Sequence, residues 1–188
     1  GAKGSFFEGG IRVPALISYP KLFPKGEIRD QTIVNLDILP TICEILDIPP
    51  PKNKLDGKSI LDVIKYNEAK SPHEVLHWMW QGMWAVRKGN WKLIYDGHDT
   101  TGKFSIHPEK EFEMPEYYLA NLDDEKPEEI NYALKEPKIL KDLLTLHQSW
   151  AKDVFQGSGY PDPNSVEGKK EKIIKTKGTT KLLSLIHI

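Results

Sequence analysis

Covalent cross-links are the first thing this chain lacks. Cys43 is the single cysteine in 188 residues, which excludes an internal disulfide and leaves stability to packing. No stretch approaches the roughly 18 consecutive apolar residues that a membrane-spanning helix requires. An excess of one charge is missing too. Lys and Arg number 26 against 27 Asp and Glu, for a net charge of -1, so nothing signals nucleic acid or an anionic membrane surface as a partner. No Asn-x-Ser/Thr acceptor occurs, so glycosylation gives no sign of a secretory route. Metal-ligand spacing is absent as well. His98 and His107 stand apart in a polar stretch, where a metal site needs two or three ligands at defined spacing. With 39% apolar and 28% charged residues, what remains is a globular chain long enough for one domain or two small ones.

Three regions separate by pattern. In residues 1–70, Ile11 to Tyr19 reads as a short apolar strand bounded by glycines before and prolines after, and Gln31 to Leu36 as a second. Asp37 is placed to cap a helix, with Pro40 in its first turn, where a missing N–H costs nothing. Leu36, Leu39, Ile42, Cys43 and Leu46 then form one apolar stripe at helical spacing. Pro49-Pro50-Pro51 ends the helix, and the turn at Asp56-Gly57 leads into a brief helical segment over 60–64.

Residues 71–157 read as a small antiparallel sheet with one packed helix. Val75 to Trp80 and Trp84 to Arg87 are aromatic and β-branched, Lys88-Gly89-Asn90 supplies a turn, and 91–95 returns as a strand. Residues 98–114 read as an inserted polar loop. From Pro137 to Phe155 the positions Ile139, Leu140, Leu143, Leu144, Leu146, His147, Trp150 and Val154 give a 3.6-residue stripe, with His147 packed along it. Residues 158–188 carry six lysines against three acids and read as a basic, solvated tail.

The residues with chemical potential are few. Lys3 lies in Gly1-Ala2-Lys3-Gly4-Ser5-Phe6-Phe7-Glu8-Gly9-Gly10-Ile11-Arg12-Val13-Pro14, among small neighbours that let backbone approach a ligand closely. An ammonium on such a loop suits an anion, while Glu8 and Arg12 suit local bracing of the loop. Cys43 lies on an apolar helix face and reads as a small hydrophobe, since a reactive thiol needs an exposed, electropositive setting. Four of the five tryptophans fall between positions 78 and 91, where packing is the ordinary use of such a cluster.

The lysine segment resembles the active-site lysine loop of type I, formylglycine-dependent sulfatases, and five further pieces follow in the family's order. Residues 13–20 resemble the apolar strand after that loop. Asn35-Leu36-Asp37-Ile38-Leu39-Pro40-Thr41 resembles the Asp-x-x-Pro-Thr helix start, and Leu55-Asp56-Gly57-Lys58-Ser59-Ile60 the Asp-Gly-x-Ser loop. Residues 84–93 match the hairpin read as Ala-Val-Arg-x-Gly-x-Trp-Lys-Leu, and 118–125 resemble the acidic turn near the family's C-terminus. The resemblance is to arylsulfatase and N-acetylgalactosamine-sulfatase-like members of the alkaline phosphatase superfamily, and it covers residues 1 to about 155.

That resemblance implies an α/β fold: residues 1–70 as the end of the large sulfatase domain, then the small antiparallel sheet with its C-terminal helix over 71–157. It implies a sulfuric ester hydrolase acting on aryl or carbohydrate sulfate esters. Lys3 would hold a sulfate oxygen, and His73, His77 and Trp84 are candidates for substrate specificity. The family's reaction uses Ca2+ and a formylglycine made from cysteine in Cys-x-Pro-x-Arg. Cys43 lacks that context, so nucleophile and metal ligands are expected upstream of residue 1, with no metal site in this fragment, which alone is expected to be inactive. The expected partner is a sulfated small molecule or glycan, and the family's compartments are secreted, periplasmic or lysosomal. A phosphatase or phosphonate ester hydrolase of the same superfamily, and a non-catalytic carbohydrate-binding module, are the alternatives.

Overall fold

A computed structural model describes residues 4–80, 82–97 and 115–156. These residues form two compact units, one joining 4–13 to 75–156 and the other made of 14–74. The first segment, 4–13, thus packs with the sheet that follows 75 and not with the residues next to it in sequence.

The first unit is built on a four-stranded antiparallel sheet in the order β1-β2-β3-β4, comprising β1 (Val75–Trp80), β2 (Met83–Lys88), β3 (Trp91–Tyr95) and β4 (Tyr117–Asn121). Lys88 pairs with Trp91, so Gly89 and Asn90 form a two-residue hairpin loop. Gly89 takes φ 57 at the first loop position, a conformation that matches strand twist and favours glycine. Both sheet faces are covered, which explains why β2 and β4 do not alternate apolar with polar residues. On one face Trp84, Val86, Leu93 and Leu119 pack under α4 (Pro137–Phe155). On the other, Ala85, Ile94, Tyr118 and Ala120 pack around Phe7.

The predicted limits of α4 are those observed, with Pro137 in the first turn. Its buried residues Leu143, His147 and Ala151 recur every four positions, the spacing of one helix face. β4 went unrecognised as a strand in the sequence. Its outer edge is finished by Asn131, which accepts from Leu119 N–H and donates to the Tyr117 carbonyl, and by Tyr132 N–H on the Leu119 carbonyl. A side-chain amide here stands in for a neighbouring strand.

Two of the expected strands do not form. Ile11 to Tyr19 forms none: the one-turn helix α1 (Glu8–Ile11) takes its start, and the rest is irregular. A strand exists by pairing, and among the described residues none lies alongside, so Val13 and Leu16 are 76% and 92% exposed. Over 31–36, Val34 N–H is taken by the Asp37 carboxylate and a 3-10 turn (Asn35–Asp37) follows, removing backbone groups from any ladder. The helix α2 (Ile38–Ile45) and the short α3 (Leu61–Lys65) form as expected. The α2 stripe is corrected, however. Of Leu36, Leu39, Ile42, Cys43 and Leu46 only Cys43 is buried, and the inward residues are Asp37, Thr41 and Cys43. Hydrogen bonding, not apolar area, decides which way α2 faces.

Candidate functional site

Lys3 lies outside the described residues; the segment that carries it is described from Gly4 onward. Gly4 takes φ 89, so the left-handed backbone falls there and not at Gly9-Gly10, which sit inside α1. Ser5 is buried, and its Oγ accepts from Phe7 N–H at 3.2 Å, closing a turn over 5–7. Phe7 is buried edge-on against Tyr118, ring centroids 5.3 Å apart. Gly97 comes close beside Phe7 and Ile94, where a Cβ would fall 2.6 Å from the Ile94 side chain.

Glu8 does not brace the loop locally, as its sequence position suggested. Its Oε1 lies 2.6 Å from Nζ of Lys92 on β3, and its backbone N–H donates to Glu128 Oε2 at 2.8 Å. Lys92 also pairs with Glu128 Oε1. Tyr118 completes the cluster by donating its hydroxyl to the Glu128 carbonyl at 2.8 Å. Burial, with the nearby Glu128 and Glu129 carboxylates, raises the Tyr118 pKa and keeps that hydroxyl a donor. The sequence carried one signal of this cluster, a lysine amid the apolar run of β3. A fully buried ammonium requires opposite charges around it.

The second cluster lies in the 14–74 unit. Asp37 is fully buried, and its carboxylate accepts from Val34 N–H and Lys58 N–H, each at 2.9 Å, with His73 Nε2 at 2.7 Å. A carboxylate only accepts, so His73 carries its proton on Nε2. The Asp37 carbonyl accepts from Thr41 Oγ1 at 2.6 Å, and that oxygen accepts from Ile60 N–H at 3.0 Å. Asp37 is therefore not a cap of α2 through its side chain, as expected; it ties α2 to the loop 57–60. A Cβ on Gly57 would fall 2.0 Å from the Leu36 carbonyl oxygen. The Asp-x-x-Pro-Thr and Asp-Gly-x-Ser pieces are two halves of one knot.

His77 and Trp84 both lie under α4. The Trp84 ring stacks on His147 at 3.9 Å and is 1% exposed, so neither ring face is open to a sugar. His77 stacks on Trp150 with centroids 4.7 Å apart and lies 5.7 Å from His147. Burial depresses both histidines to about 4, and for His147 the charge of the neighbouring His77 adds to the effect of burial. His77 and Trp84 thus meet at His147, while His73 belongs to the Asp37 knot of the other unit. Trp78 packs on the Phe7 face, and Trp80 is 43% exposed.

Among the described residues, no three His, Cys, Asp or Glu side chains converge to hold a metal ion. Cys43 is free and buried, as its helical position suggested. No helix among the described residues is long and apolar enough to cross a membrane. His98, His107 and the basic tail lie outside the described residues.

Comparison with known proteins agrees with the lysine segment and its companions. The family profile "N-sulphoglucosamine sulphohydrolase, C-terminal" matches residues 2–156. An uncharacterized sulfatase of Schizosaccharomyces pombe is 34% identical over 152 residues, 76% of this chain and 25% of that protein. A sulfatase of Formosa agariphila is 29% identical over 140 residues, 72% of this chain and 25% of that one. A solved chain from Bacteroides thetaiotaomicron, from work on the metabolism of multiple glycosaminoglycans, covers 60% of this chain and 24% of its own. It does so at 20% identity and a TM-score of 0.44. The chain spans about a quarter of the length of these curated relatives. Its four-stranded antiparallel sheet and closing helix are those of a sulfatase C-terminal subdomain, and the chain belongs to the N-sulphoglucosamine sulphohydrolase C-terminal family.

Proposed function

We propose that this chain is the C-terminal part of a sulfuric ester hydrolase acting on aryl or carbohydrate sulfate esters, with Lys3 binding a sulfate oxygen. The observation that carries this reading is the family match over residues 2–156, which includes the lysine segment itself. A sulfate ester keeps its negative charge through hydrolysis, and charge grows on the bridging oxygen as the ester bond breaks. A preorganised cation against that charge is commonly worth ~3–4 kcal/mol, or 10² to 10³ in rate. Lysine suits the task as a compact charge on a flexible stem.

Calcium and formylglycine belong to the same proposal through the family resemblance. The described residues fit neither group: Cys43 is enclosed in α2, and no carboxylate cluster offers a hard-cation site. No step through either group is assigned to this chain, which is proposed to be inactive alone. A secreted, periplasmic or lysosomal setting is likewise proposed from the family.

The test is kinetic, in the full-length protein that this reading implies. Lys3→Ala should lower kcat/KM for 4-nitrocatechol sulfate by about 10² to 10³ with little change in melting temperature. Near-normal kinetics would remove Lys3 from the site. A preference for 4-nitrophenyl phosphate over the sulfate ester would move the protein to the phosphatase branch of the superfamily.

A further inference from the structure

The Lys92 cluster asks why a charge is kept inside β3 at all. Lys92 has no exposed side-chain surface, and it lies between Arg87 and Ala120 on the sheet face that also carries Ala85, Ile94 and Tyr118. An apolar residue of similar size would serve packing there as well, because replacing a buried ion pair by well-packed hydrophobic groups is often neutral or stabilising. The charge therefore answers to what its partners do.

Those partners come from opposite ends of the fold. Glu8 lies five residues after Lys3, and Glu128 lies in the connection between β4 and α4. Glu128 reaches Lys92 with one carboxylate oxygen and the Glu8 backbone N–H with the other. Its own backbone sits at φ 67, a left-handed conformation uncommon outside glycine and asparagine. Such an outlier persists where the surroundings over-determine it, and it clusters at functional constraints. The Tyr118 hydroxyl on the Glu128 carbonyl is part of that constraint.

The segment held by this cluster has little order of its own. α1 is four residues long with two glycines, far below the length at which a helix is stable in isolation. Beyond the packing of Phe6 and Phe7 on the sheet, the segment is tied down by the Glu8 carboxylate on Lys92 and the Glu8 N–H on Glu128. We propose that Lys92 and Glu128 are positioning residues for the anion-binding lysine: clamping Glu8 by side chain and backbone, they fix the segment that bears Lys3. This rests on the sulfatase reading and deepens it, because it assigns buried residues of the small sheet to the binding of the sulfate group.

A double-mutant cycle in the full-length enzyme tests the assignment. Lys92→Met should lower kcat/KM for 4-nitrocatechol sulfate by about 10- to 100-fold in the wild-type background and by less than threefold in a Lys3→Ala background, because it acts through Lys3. Peptide-level hydrogen exchange on the same Lys92→Met enzyme should show residues 8–12 exchanging at least tenfold faster while the strands 83–88 and 91–95 stay protected. Glu8→Gln, which leaves Lys92 paired with Glu128, keeps the test available if Lys92→Met fails to fold. It should show the same non-additivity at about 3- to 10-fold. Equal losses in both backgrounds would overturn the positioning role while leaving Lys3 in place. An unimpaired Lys3→Ala enzyme would overturn the sulfate-binding reading and this proposal together.

Discussion

At the scale of single residues, Asp37 shows how one buried carboxylate can organise a unit that has little apolar core. It accepts from two backbone N–H groups and a histidine, and its carbonyl serves Thr41. Removing one partner of a buried hydrogen bond costs about 1–3 kcal/mol, more for a charged group. Asp37→Ala leaves Val34 N–H, Lys58 N–H and His73 without their acceptor, and should lower the denaturation midpoint of the 14–74 unit far more than an exposed helical substitution such as Glu44→Ala. Urea denaturation of the full-length protein with a probe in this unit measures it, and equal midpoints would contradict the knot. Gly57→Ala should act in the same direction, because its Cβ would overlap the Leu36 carbonyl.

At the scale of elements, the packing of α4 on the sheet is unusual in putting two histidines under a helix. Nδ1 of His77, both ring nitrogens of His147 and Nε1 of Trp84 are buried and find no hydrogen-bond partner among the described residues. Burial holds both histidines at about 4, below the ordinary value near 6.5. Between those values the unfolded chain binds protons that the folded chain refuses. Stability is therefore complete above about pH 6.5 and is lost as pH falls towards 4. Thermal melts of the full-length protein at pH 7 and pH 4.5 should show His147→Phe losing less melting temperature than wild type, because one titrating ring is gone. An unchanged difference would show that His147 does not drive the acid response.

At the scale of the whole molecule, the two units differ in how well they cover their apolar residues. The sheet unit buries Trp84, Val86, Leu93, Ile94 and Leu119 almost completely. In the 14–74 unit Leu16, Ile28, Leu39, Ile42 and Leu46 are exposed. Exposed apolar surface of this kind promotes association. The 188-residue chain expressed alone should aggregate or bind a hydrophobic dye such as ANS, as light scattering and dye fluorescence would report. A monodisperse monomer with a single cooperative melt would contradict this.

Much of the sheet unit is determined by local sequence. Gly89-Asn90 between two aromatic strands specifies a hairpin, and the apolar stripe after Pro137 specifies α4, because both signals act over a few residues and need no distant partner. The lysine segment and its companion motifs were legible for the same reason, as was burial of Cys43. Long-range pairing was not legible. Apolar residues over 11–19 and 31–36 read as strands, but a strand also needs a neighbour, and that neighbour is a tertiary fact. β4 was hidden because both its faces are buried, which erases alternation. The same limit applies to charge. Glu8 finds Lys92 across 84 residues and Glu128 across 120, and Asp37 finds His73 across 36. Ionic and hydrogen-bond partners have no periodicity to announce them. The sequence by itself decides which residues form hairpin and helix, and only the tertiary structure decides which buried charges meet.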